Sequence, residues 1–239
     1  QFHYTAEQNF YWFDQETNQL YLLDLQDQAL QIMINHRYGL NASEMEYNYL
    51  LVDLMTVAQI EGQKTDIHRF AYYHPENGLY IYNHNNQIYK LDGQNVELVA
   101  NGTDGVLFLD KPTHQTFTYQ AGVGAGYVDR LLVDNINFDP DGSSLDTYEQ
   151  RLIFKVWLKS LFFSSIQPTK PIQCFIGEKG SGKTTYQRLV GRFLFGPFFD
   201  VDTLEAKKED AFIATITNNA YCAFDNADSP INWLPNRLA

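Results

Sequence analysis

Gly177-Glu178-Lys179-Gly180-Ser181-Gly182-Lys183-Thr184 is the stretch that decides the fold. It fits G-x-x-x-x-G-K-[ST] at every position, a pattern whose glycines let successive backbone N–H groups converge on a phosphate. The run before it, Ile172-Gln173-Cys174-Phe175-Ile176, has the length and character of a short buried strand. After it, Tyr186, Leu189, Val190, Phe193 and Leu194 recur at the three- and four-residue spacing of one helix face. Strand, glycine loop and helix therefore follow in the order that aims a helix N-terminus at an anion. In that arrangement Gly177, Glu178, Lys179, Gly180, Ser181, Gly182, Lys183, Thr184 and Thr185 line a nucleotide's phosphates. Lys183 reaches the β- and γ-phosphates, and the Thr184 hydroxyl ligates Mg²⁺.

Toward the C-terminus, Gly196-Pro197 stops the helix, residues 198–201 suit a further strand, and residues 207–217 suit a helix. The apolar run Ala220-Tyr221-Cys222-Ala223-Phe224 ends in Asp225-Asn226. A carboxylate at the tip of a buried strand downstream of a phosphate loop is where an NTPase holds its Mg²⁺, so Asp225 joins Thr184 as a metal ligand. Lys183, Asp225 and Asn226 are the expected catalytic residues. Asn226 stands where many such enzymes carry Glu, and a neutral amide cannot act as a base. Either Asn226 only positions the attacking water, or Asp228 substitutes.

Toward the N-terminus, Asp139-Pro140-Asp141-Gly142 is a strong turn. Ser143, with Asp146 three residues on, is the expected cap of a helix over residues 144–163, whose one face holds Leu145, Tyr148, Leu152, Val156 and Trp157. Gly122-Val123-Gly124-Ala125-Gly126 begins like a second nucleotide loop but has Tyr127 where that pattern needs glycine, so it reads as a joint. The expected organisation is an α+β domain over 1–118, a linker over 119–142 and an α/β NTPase domain over 143–239.

The first domain opens with Phe10-Tyr11-Trp12-Phe13 and Leu20-Tyr21-Leu22-Leu23 around a polar turn, the pattern of a hairpin with an ordinary aromatic core. Helices are expected over 24–37 and 43–60. Met45, Tyr49, Val52 and Thr56 form the stripe by which the second would pack. Residues 67–109 then give five short apolar runs between Asn-Gly and Asp-Gly turns, the texture of an antiparallel meander. His68, His74 and His84 within it match no metal-ligand spacing.

Composition narrows the class. The 239 residues are 44% hydrophobic with net charge −12, enough apolar material for packed cores. Residues 1–110 hold 15 Asp and Glu against 4 Lys and Arg, whereas residues 111–239 hold 14 against 13. The acidic first part is therefore unsuited to gripping DNA and suited to a protein partner. With no apolar run near 20 residues and no secretory leader, a cytoplasmic protein without membrane contact is expected. Cys174 and Cys222 then read as two buried thiols.

These residues carry a resemblance. Phe175 to Thr185 with Arg188-Leu189-Val190-Gly191-Arg192, and Asp225-Asn226-Ala227-Asp228 with Trp233-Leu234, resemble the ATPase module of replicative helicases of phages and mobile genetic elements. That group includes superfamily 3 primase-helicases and the minichromosome-maintenance-like helicases of staphylococcal cassette elements. The stretch from Asn77-Gly78 to Gly105 is similar to the small sheet domain preceding the ATPase in these proteins. The resemblance implies a three-layer AAA+ P-loop core, incomplete at its C-terminus, with ATP and Mg²⁺, a homo-hexameric ring, and DNA unwinding in replication. Asn after the acidic residue is familiar there. A sensor residue, DNA-contacting pore loops and an arginine finger are expected beyond Ala239. An AAA+ switch that loads a partner without unwinding is the alternative.

Overall fold

Alternating burial along short aromatic-rich segments builds the first of two units into which the chain divides. The computed structural model describes all residues except 125, 140, 167–170, 206–207, 226–230 and 239. One unit comprises residues 1–70 with 78–111, the other residues 71–77 with 112–239.

In the first unit, β1 (Phe2–Tyr4) pairs antiparallel with β2 (Phe10–Asp14), which forms the expected hairpin with β3 (Gln19–Leu22), Phe13 facing Leu20. Asp14 closes the hairpin, accepting from Glu16 N, Thr17 Oγ1 and, at 2.6 Å, Arg37 Nη2. Burial pushes its carboxyl up, but the hydrogen bonds and the Arg37 guanidinium outweigh this and hold it below the ordinary range. Helices α1 (Gln28–Tyr38) and α2 (Met45–Glu61) follow. The Asp27 side chain caps α1 by accepting from Leu30 N, and Gly39 ends it in the left-handed region. β4 (Gln63–Lys64) returns to pair in parallel with β1.

The core joins Tyr21 and Leu23 to Leu30, Met33 and Ile34 of α1 and to Tyr47, Leu51 and Ala58 of α2. The expected stripe is thus the wrong one. Met45, Tyr49 and Val52 are exposed, while residues 47, 51 and 58 face inward. Helix α2 is apolar on both faces, so its periodicity does not choose between them.

β5 (Ile67–His68) follows, then β6 (Ala71–His74), whose residues belong to the second unit, and β7 (Gly78–Tyr82), β8 (Gln87–Leu91) and β9 (Val96–Ala100), which pair antiparallel in the meander order β7-β8-β9. The β7–β8 turn places His84, Asn85 and Asn86 in succession at positive φ. The fifth run leaves the meander. As β10 (Leu107–Phe108) it pairs in parallel with β5. Gly102, Asp104 and Gly105, all at positive φ, turn the chain out of the sheet. The buried Asn101 amide then holds it, donating to Phe108 O and accepting from Phe108 N, both at 2.9 Å.

In the second unit, α3 (Gly126–Val128) runs into a π-helical turn over Asp129–Val133, followed by α4 (Thr147–Ser160) and α5 (Lys183–Phe195). The cap of α4 is Asp146 rather than Ser143. Asp146 and Glu149 exchange side-chain-to-backbone bonds in a capping box that also sets two carboxylates at the positive helix end. Its inward face is Phe154, Trp157 and Leu158, packed with Leu132, Val133 and Val190, whereas Tyr148, Leu152 and Val156 are exposed. β11 (Asp202–Thr203), α6 (Glu209–Asn218) and β12 (Phe224–Asp225) make a small β-α-β unit, ahead of the short α7 (Leu234–Leu238). Its strands pair in parallel, Thr203 opposite Asp225, above Leu204, Phe212 and Ile231. The architecture is mixed α/β with several small sheets. Among the described residues, no helix is long and apolar enough to cross a membrane.

Candidate functional site

The loop that feeds α5 has the conformation its glycines predict. Gly180 and Gly182 lie at φ 87° and 86°, and Gly182 is the residue from which α5 starts. Side chains with a Cβ are strained there, which suits glycine at both positions. Ser181 N donates to Glu178 O at 3.2 Å and Tyr186 N to Gly182 O at 2.8 Å, which closes the turn and begins the helix.

Lys183 Nζ donates back into this loop, to Gly177 O at 2.6 Å and Glu178 O at 3.0 Å. The next side chain points across to the β-α-β unit: Thr184 Oγ1 donates to Asp225 Oδ2 at 2.7 Å. Parallel pairing with β11 sets Asp225 at the end of β12, so a residue distant in sequence meets the first turn of α5. Loop amides, an ammonium, a hydroxyl and a carboxylate thus gather at one helix start. Amides and ammonium suit phosphate oxygens, and the two oxygen donors suit a hard divalent cation such as Mg²⁺. The residues present therefore fit a magnesium–nucleotide.

The expected strand before the loop is not formed. Residues 171–178 have no ladder partner among the described residues. Gln173 and Phe175 are half-buried while Ile172, Cys174 and Ile176 face solvent, Ile176 by 96%. The inner face is held by Phe175, whose ring lies 5.2 Å from that of Tyr186, and by Trp157 Nε1, which donates to Pro171 O at 3.1 Å. The run is apolar on both faces, but one neighbouring layer covers only one of them. Cys174 is consequently exposed rather than buried. Cys222 is half-buried, its Sγ 3.5 Å from Thr215 O.

Three further contacts steady α5. Arg188 Nε meets Asp200 Oδ1 at 2.7 Å, and that hydrogen bond holds the Asp200 carboxyl below its usual range. Arg192 Nε donates to Phe199 O at 3.2 Å, tying the helix to the chain that enters β11. The Tyr186 hydroxyl donates to Leu132 O, and burial pushes its pKa well up. Burial likewise raises Tyr221 to about 12, so neither phenol is a proton carrier near neutrality. Sequence reasoning placed Trp157 on a helix face but missed that its indole anchors the entry to the loop, because spacing carries no information about a side chain's polar edge. Asn226 and Asp228 lie outside the described residues. No protein-family model matches the chain, and neither a curated protein nor a solved structure matches it.

Proposed function

We propose that Gly177 to Thr185, with Asp225, bind and hydrolyse MgATP, and that the cycle drives movement along DNA in a replicative helicase of a phage or mobile element. The observation that carries the nucleotide reading is the 2.7 Å contact between Thr184 and Asp225 beside a loop that holds Gly180 and Gly182 at positive φ. In this reading the loop amides cradle the phosphates, Lys183 exchanges the carbonyls of Gly177 and Glu178 for phosphate oxygens, and Thr184 with Asp225 holds Mg²⁺. Bound Mg²⁺ supplies Lewis-acid withdrawal of charge from the triphosphate oxygens. Water is oriented by Asn226 or Asp228. The AAA+ core, the hexameric ring and the DNA track rest on the family resemblance of the two motif segments.

A specific residue favours a second reading. Asn226 gives the site no carboxylate base directly after Asp225; familiar as Asn is there among the helicases the chain resembles, it equally suits an ATP switch that assembles a partner and turns over slowly. Steady-state hydrolysis and strand separation on forked DNA distinguish the two. The helicase reading expects DNA-stimulated hydrolysis and unwinding, both abolished by Lys183→Ala. Unwinding that persists in that variant overturns it, and hydrolysis without strand separation selects the switch.

A further inference from the structure

Exposure and charge coincide on one face of α2. Met45, Tyr49, Val52, Thr56 and Ile60 recur at helical spacing, a strip about 22 Å long at the α-helical rise. All five are exposed, Tyr49 by 63% and Ile60 by 76%. An aligned strip of large apolar side chains differs from the scattered exposure of any soluble surface. Along one flank the strip opens into a groove of about 450 Å³, lined by Leu23, Leu25, Leu51, Val52 and Met55 together with the polar Asp24, Gln26 and Asn48.

The surroundings of this strip are acidic. Glu44, Glu46, Asp53 and Glu61 lie on or beside α2, and no Lys or Arg occurs between Tyr38 and Gln63. Glu46 and Asp53, seven residues apart, fall on the flank opposite the groove. Of the flanking cations in sequence, Arg37 is engaged with Asp14 at 2.6 Å and Lys64 lies beyond the C-terminal end of α2.

We propose that this face of α2 receives an amphipathic helix of a partner protein, one that carries Lys or Arg beside its apolar stripe. A helical strip next to a largely apolar groove fits the side-chain rows of a second helix. The acidic rim selects the basic partner, since charge pairs at a rim set partner choice and association rate. The same carboxylates repel nucleic-acid phosphates and anionic lipid. A second copy docked by the same face would set like charges against each other about a two-fold axis, on a chain of net charge −12.

The test uses the full chain and two fluorescent peptides of about 18 residues, long enough to span the strip. One is a helical Leu/Lys amphipath and the other its Leu/Glu counterpart, both titrated by anisotropy. The Leu/Lys peptide is expected to bind and the Leu/Glu peptide not to bind. Tyr49→Asp with Val52→Asp weakens Leu/Lys binding about tenfold or more, and Glu46→Lys with Asp53→Lys transfers preference to the Leu/Glu peptide. All four positions are solvent-facing, so unchanged melting curves confirm that the variants fold. Equal Leu/Lys binding by wild type and the Tyr49/Val52 variant overturns the proposal. So does concentration-dependent dimerisation lost in that variant, which assigns the face to a second copy. Binding to anionic vesicles lost in that variant overturns it as well.

Discussion

Thr184→Val deletes one oxygen and keeps a β-branched shape, so it isolates the contact on which the site rests. The hydroxyl donates to the Asp225 carboxylate at 2.7 Å. A hydrogen bond to a charged acceptor contributes about 1.5–3 kcal/mol. Both residues are half-buried, so the lower end applies, about 1.5 kcal/mol. In a unit of this size that lowers the midpoint of thermal unfolding by about 4–6 °C. Thr184→Ser, which keeps the oxygen, recovers most of the loss. Calorimetry of the three proteins checks the stability effect. ATP titration with and without Mg²⁺ checks the second consequence: wild type binds more tightly with Mg²⁺, whereas the valine variant binds ATP equally with and without it. A valine variant that melts within about 1 °C of wild type and keeps its Mg²⁺ dependence would refute both the contact and the site built on it.

Lys183→Met removes two exposed bonds to loop carbonyls, so it shifts stability by under about 0.5 kcal/mol yet lowers ATP hydrolysis by about a hundredfold or more, as melting and steady-state assays would show. Asn101→Ala strands the Phe108 N–H and carbonyl in a buried site and destabilises the first unit by about 3 kcal/mol, measurable by urea denaturation. Gly102→Ala puts a Cβ 2.7 Å from Phe13 Cζ at φ 92° and costs about 2–3 kcal/mol; a double-mutant cycle with Phe13→Leu recovers the part due to the clash. Burial depresses the His68 pKa from 6.5 to about 4, so the folded ring stays neutral where the unfolded ring protonates. Its stabilisation is present above pH 6.5 and is lost as pH falls toward about 4, on the order of 2–3 kcal/mol. Urea denaturation of wild type and His68→Phe at both ends of this window tests it, and equal losses in the two proteins would refute the assignment.

What the residues announced in advance was local. The turn at 177–184 was legible because its glycines constrain φ and Lys183 folds back on it, both within eight residues. The Phe10–Leu22 hairpin was legible because its turn and both strands are contiguous. Failures arose where a segment has two equivalent faces. Helix α2 offers residues 45, 49 and 52 or 47, 51 and 58 to a neighbour, and only the sheet and α1 decide between them. The run at 172–176 reads as a buried strand because it is apolar throughout, but its backbone finds no ladder partner among the described residues. Asp225 was legible as a strand-end carboxylate. Its meeting with Thr184 depends on the register of two strands whose pairing no short-range pattern encodes.

The Asn101 clamp also governs the ageing of one of the chain's two Asn-Gly dipeptides, the other being Asn77-Gly78. Asparagine followed by glycine is the dipeptide most prone to deamidation, because the following N–H can attack the side-chain carbonyl to close a succinimide ring. Here both reactants are occupied: the Asn101 amide is bonded at each end to Phe108, and Gly102 N donates to Val106 O at 3.0 Å. Conversion to aspartate at this dipeptide therefore waits on local opening of the turn after β9, and its rate on storage is a chemical clock of that opening.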